Sequence, residues 1–188
     1  GESRGTTTEK ARTFVVFSTT HPNESRWYNS SNAHFVWRGR PDAVYRYAFD
    51  TEEETIPTNA HIASGNQIDL DVPGDGVYYF HLQSTTGGPT AHYRIRSDMT
   101  PPTIVSMNLS QKNIVKGDVV RFSFSAEDIT SGVQQNYYVD LGSKLFLPVG
   151  QELYVPFLDS GDQKVTLRVY DGAGNFSERT QVVRVEDK

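Results

Sequence analysis

The feature that most constrains this chain is its pattern. Short runs of alternating apolar and polar residues, rich in Val, Ile, Thr, Tyr and Phe, are separated by clusters of Gly, Pro, Asn and Asp, and helical periodicity is almost absent. An extended strand points successive side chains to opposite faces, so each run has one apolar and one polar face. The apolar face must pack against another sheet. The pattern therefore predicts an all-β fold built from antiparallel sandwiches.

Candidate strands lie at 14–19, 34–38, 43–50, 67–72, 76–84 and 90–97, and again at 103–110, 118–127, 135–142, 144–149, 151–157, 163–171 and 179–186. Between the two groups stands Asp98-Met99-Thr100-Pro101-Pro102. Two prolines supply no backbone donors and hold the chain extended, which suits a short, stiff junction and an end-to-end arrangement. The predicted organisation is a linker or disordered end at 1–11, one sandwich at 12–98, a Pro-rich junction at 99–102 and a second sandwich at 103–188. The chain has 188 residues and no cysteine, so each core must stand without disulfides and no thiolate chemistry is available.

Charge removes further classes. Residues 1–98 carry 9 basic and 12 acidic side chains, and residues 99–188 carry 9 and 11. Neither half has the basic excess that a phosphate backbone requires, so no nucleic-acid partner is expected. No run of 18 apolar residues exists, so no membrane insertion by this segment is expected. The chain begins Gly1-Glu2-Ser3-Arg4, without an initiator Met or apolar leader, and reads as a mature or excised fragment.

Alternation also assigns faces. Phe35 and Trp37, Tyr45, Tyr47 and Phe49, and Tyr78, Phe80 and Leu82 should point inward in the first half. Phe122 and Phe124 should face Val165, Leu167 and Val169 in the second.

The run FVWRGRPDAVYRYAFD resembles two successive strands of fibronectin type III-like domains, and LDVPGDGVYYFHLQ resembles a later part of such a domain. That resemblance implies a tyrosine-corner role for Tyr78, its hydroxyl bonding back to upstream backbone. In the second half DMTPPTI, AEDITSGV and VTLRVYDGAGNFS resemble bacterial immunoglobulin-like domains. In Asp171-Gly172-Ala173-Gly174-Asn175, both glycines should permit positive φ, and Asp171 and Asn175 should bond turn amides. The resemblance implies all-β, two consecutive antiparallel β-sandwiches, fibronectin III-like and then immunoglobulin-like. It also implies the setting of large prokaryotic cell-surface proteins.

Few constellations carry chemistry. There is no Gly-x-Ser-x-Gly turn, and Glu52-Glu53-Glu54 reads as a solvated acidic run. No catalytic residue is assigned. His81 and His92 fall on strands that should be neighbours, both outward, as a paired-His arrangement with no third metal ligand evident. The same outer face should carry Arg46, Tyr79, Arg94 and Arg96, a local Arg/Tyr cluster in an acidic domain and a candidate partner-binding face. Its two histidines would gain charge below about pH 6.5 and tighten the hold on an anionic partner. The alternative is an ordinary solvated sheet face. Asp98, Glu127, Asp128 and Asp171 should converge at the domain junction as a candidate calcium site, against the alternative that Asp128 and Asp171 cap turn amides.

The expected function is a non-catalytic extracellular segment of a larger cell-surface or secreted protein, acting in adhesion, assembly or as a rigid spacer. The alternative is an accessory region, carbohydrate-binding in one form, of a secreted hydrolase whose catalytic domain lies elsewhere. Expected partners are other domains of the same polypeptide and another surface protein or glycan. No cofactor is required beyond the candidate calcium.

Overall fold

The computed structural model describes residues 15–40 and 42–187. The predicted linker at 1–11 and the start of the first predicted strand at Phe14 lie outside the described residues. Fifteen strands and no helix occur among the described residues. The chain forms two compact units: one contains Ser30–Ser97 with the segment ending at Arg26, and the other runs from Asp98 onward and includes Trp27–Asn29.

The first unit contains β1 (Val16–Ser18), β2 (Asn32–Trp37), β3 (Val44–Asp50), β4 (Ile62–Ser64), β5 (Gln67–Asp71), β6 (Gly76–Ser84) and β7 (Ala91–Ser97). They make two antiparallel sheets, in the orders β1-β2-β5 and β4-β3-β6-β7. The second unit contains β8 (Thr103–Leu109), β9 (Ile114–Val115), β10 (Val119–Glu127), β11 (Val133–Asp140), β12 (Leu147–Val149), β13 (Glu152–Pro156), β14 (Gly161–Asp171) and β15 (Phe176–Glu186). Its sheets run β13-β10-β8 and β12-β11-β14-β15-β9. Both units thus share one wiring, with the second adding β9, which pairs parallel to β15. β4 and β9 have no counterpart among the predicted strands; each is defined by its pairing with β3 or β15.

The cores follow the predicted faces closely. Phe35, Trp37, Tyr45, Phe80 and Leu82 are buried in the first unit, and Phe122, Phe124, Val165, Leu167 and Val169 in the second. Phe35 of one sheet stacks on Phe80 of the other, ring centroids 4.3 Å apart, so this pair joins the two layers. Tyr47, Phe49 and Tyr78 are half-buried and pack on the margin of the same cluster. The Trp37 indole Nε1 is buried without a hydrogen-bond partner among the described residues, so its contribution there is apolar contact.

The tyrosine-corner expectation is corrected. The buried tyrosine hydroxyl that reaches upstream backbone is that of Tyr93, which donates to the His21 carbonyl oxygen at 2.9 Å. The Tyr78 ring instead lies against Phe49, centroids 5.6 Å apart.

Candidate functional site

The register of β3, β6 and β7 decides which side chains share the outer face of the first unit. Arg46 is opposite Gln83, Ala48 opposite His81 and Asp50 opposite Tyr79. Tyr79 is opposite Arg94, His81 opposite His92 and Val77 opposite Arg96. Because directly opposed residues share a face, Arg46, Tyr79, His81, His92, Arg94 and Arg96 all project to one side.

That side is less open than alternation alone indicates. Arg46, Tyr79, Arg94 and Arg96 are half-buried and His92 is exposed, but His81 is fully buried. The expectation of a solvent-facing His81 is therefore corrected. Asp50, the last residue of β3, places its carboxylate at His81 Nε2, Oδ1 to nitrogen 3.2 Å, and the Glu52 backbone in the following turn also bonds the ring. Tyr79 stacks on its other side at 6.4 Å. Desolvation lowers the His81 pKa below its ordinary value, partly offset by Asp50. His81 thus resists the charge gain assigned to it near pH 6.5.

Two arginines are already anchored. The Arg94 backbone N–H donates to Glu24 Oε1 at 2.9 Å and its Nε to the Glu24 carbonyl oxygen at 3.1 Å. Arg46 Nε donates to Gln83 Oε1 at 2.7 Å, and Gln83 Nε2 in turn to the Gly88 carbonyl at 2.6 Å. Anchoring lowers the entropy that an arginine loses on contact with a partner.

In the second unit three of the four predicted carboxylates meet. Oxygens of Asp98, Asp128 and Asp171 lie within 4.8 Å of one another. Glu127 does not join them: it is exposed at the end of β10, opposite Thr103, where alternation turns it away from Asp128. Asp128 Oδ1 accepts the backbone N–H groups of Thr130, Ser131 and Gly132 at 2.9–3.0 Å. Asp171 Oδ1 accepts those of Ala173 and Asn175 at 2.9 and 2.8 Å. Asn175 Nδ2 bonds both Asp171 Oδ2 and the Asp98 carbonyl. The Asp98 carboxylate accepts from Thr100 and Ser131. Burial, with Asp128 and Asp171 nearby, raises its pKa despite these bonds. Each carboxylate therefore organises a turn, as side-chain caps do.

Only one of the two turn glycines has the expected left-handed backbone, Gly174 with φ 94°. Gly172 serves close approach instead: a Cβ there would lie 2.6 Å from the Ser131 carbonyl oxygen.

A further surface was not anticipated. On the outer face of β11, β14 and β15, the Arg168 guanidinium lies over Phe146 at 4.0 Å and Phe176 at 4.7 Å, and pairs with Glu178. Tyr170 contacts Tyr138 at 5.6 Å and Phe176 at 5.5 Å. Tyr138, Phe146, Arg168 and Tyr170, with Gln134 and Gly174, line a shallow depression. The outward alternation of Arg168 and Tyr170 was available in the sequence, but Phe146 arrives from the loop before β12.

No family model matches the chain, and no curated protein matches it. Solved structures do. The fibronectin(III)-like modules of Clostridium thermocellum CbhA are similar over 92% of this chain and 95% of theirs, at 10% identity and TM-score 0.50. Murine CEACAM1b is similar over 94% and 100%, at 11% and 0.48. The PKD1 domain of Vibrio anguillarum Epp covers 47% of this chain and 98% of its own, at 18% and 0.39. No helix of the described residues is long and apolar enough to cross a membrane. The chain is an all-β protein of consecutive antiparallel sandwiches, with the fold of fibronectin III-like domains.

Proposed function

We propose that this chain is a non-catalytic extracellular segment of a larger prokaryotic cell-surface or secreted protein, acting in adhesion, assembly or spacing. Its partner, an acidic surface protein or anionic glycan, docks on the first unit at Arg46, Tyr79, His92, Arg94 and Arg96. The observation that carries this reading is the register that gathers three arginines on one sheet face of a chain with net charge −5. Arg and Tyr combine large contact area with directed polar groups, which is why they dominate interface energetics. The carboxylate trio supports a structural role, since its hydrogen bonds hold turns together. The test is Arg94→Gln with Arg96→Gln in the full-length protein. Adhesion or self-association should weaken, and the wild-type interaction should weaken as salt rises. Unchanged association in a variant with native circular dichroism overturns the docking face.

A second reading rests on the aromatic surface of the second unit. Tyr138 and Tyr170 offer rings beside Arg168, which lies over Phe146 and Phe176 and pairs with Glu178, a chemistry suited to sugar rings and to an accessory carbohydrate-binding role. Glycan binding that disappears in Tyr170→Ala supports it, and absence of binding to any glycan removes it.

A further inference from the structure

The His81–His92 pair is cross-strand, directly opposed on β6 and β7. The two Nδ1 atoms stand 2.6 Å apart. In the neutral pair the His92 Nδ1–H donates to the His81 Nδ1 lone pair, and a metal ion that displaces this proton would meet two imidazole nitrogens already facing one another. Asp50 fixes which nitrogen of His81 is free. Its carboxylate accepts only, so the His81 Nε2 at 3.2 Å carries the hydrogen. In the neutral ring that leaves the Nδ1 lone pair directed at His92. A carboxylate holding the distal N–H of an imidazole is the usual support behind a metal-bound histidine. His81 is fully buried, so its ring is held in place, while His92 is exposed and free to adjust.

We infer that His81 and His92 form a two-histidine site for a borderline divalent transition metal such as Cu2+, Ni2+ or Zn2+, bound through both Nδ1 atoms with Asp50 orienting His81. This inference is independent of the docking reading above. Two imidazoles select these ions over calcium or magnesium, which prefer oxygen. Metal–nitrogen bonds of about 2.0–2.1 Å place tetrahedral ligand nitrogens about 3.3 Å apart, so binding needs a small outward rotation of His92. The site supplies only two protein ligands, and the remaining positions open toward solvent. Arg46 and Arg94 flank it but are held by Gln83 and Glu24. Their charge favours an anionic group in the open positions.

The probe is therefore Cu2+–iminodiacetate, which fills three metal positions, carries a negatively charged chelator and leaves adjacent positions for two imidazoles. The whole chain should bind one equivalent, with nitrogen couplings from two histidines in the electron paramagnetic resonance spectrum. His92→Asn, at an exposed position, should lose at least tenfold in affinity and one imidazole coupling. Asp50→Asn should weaken binding about 10–100-fold, the range for loss of an orienting partner. His34→Asn with His61→Asn should change nothing. Affinity and spectrum unaltered by His92→Asn, or loss only in the His34/His61 variant, overturn the site.

Discussion

The Tyr93 hydroxyl donates to the carbonyl oxygen of His21, so a side chain on β7 ties down a loop 72 residues earlier in the chain. His21 is itself fully buried, and its backbone N–H donates to Ser18 Oγ at 3.0 Å. The loop after β1 is thereby fixed at the point where it turns toward β2. Tyr93→Phe keeps the ring and removes the donor, leaving a buried carbonyl under-satisfied. It should destabilise the first unit by about 1–3 kcal/mol in denaturant unfolding. Tyr78→Phe, which removes no such bond, should change stability by less than about 0.5 kcal/mol. Equal losses would show that the Tyr93 bond is not the structural tie.

Trp37 is almost wholly buried against Tyr45, centroids 5.6 Å apart, and Phe80, 6.2 Å apart. Trp37→Ala should cost about 3–5 kcal/mol, the range for a large aromatic removed from a close-packed core. A loss under about 1 kcal/mol would contradict its place in the core.

Gly172→Ala should disrupt the second unit without changing any charge. The added Cβ meets backbone, the Ser131 carbonyl oxygen, which cannot swing aside as a side-chain tip would. The same turn donates Gly172 N–H to the Gly132 carbonyl at 2.8 Å, so displacement costs that bond as well. A drop of about 1–3 kcal/mol is expected in the second unit's unfolding transition, with the first unit's unchanged.

The carboxylate trio separates its two explanations by chelation. As caps, Asp98, Asp128 and Asp171 need no ion, and a calcium chelator should leave the melting temperature of the second unit unchanged. Asp128→Ala, which strips an acceptor from three amides, should still cost about 1–2 kcal/mol. A melting temperature that falls with chelator and returns with calcium assigns the ion.

The two units should respond to acid in opposite senses through these groups. In the first, burial lowers the pKa values of His21 and His81 below 6.5. Between the folded values and about 6.5 the unfolded chain binds more protons, so stability is full above about pH 6.5 and is lost as pH falls through the folded values. In the second, the Asp98 pKa is raised above 3.8, so the folded state binds the proton more tightly. Its contribution is full in acid and is lost as pH rises through the raised value. Urea unfolding from pH 4 to 8, followed separately for each unit, checks both slopes. His21→Gln should flatten part of the first slope and Asp98→Asn the second.

The sequence by itself determined the strands and most of the core. Phe35, Trp37, Phe122 and Phe124 announce their faces because a period of two is strictly local, and a run of five to nine residues suffices to display it. β4 and β9 stayed hidden because only their pairing with β3 and β15 defines them. The gathering of the arginines with His92 was legible from the same alternation, while the burial of His81 was not. That burial comes with contacts from the end of β3 and the turn after it, where the Asp50 carboxylate and the Glu52 backbone bond the ring. Likewise the carboxylates of Asp98, Asp128 and Asp171 could be named from their turns. Whether Glu127 joined them, which tyrosine reached the His21 carbonyl, and why Gly172 must lack a Cβ were settled only by tertiary structure. In each case the deciding contact links segments distant in sequence, and no local pattern encodes a distance between them.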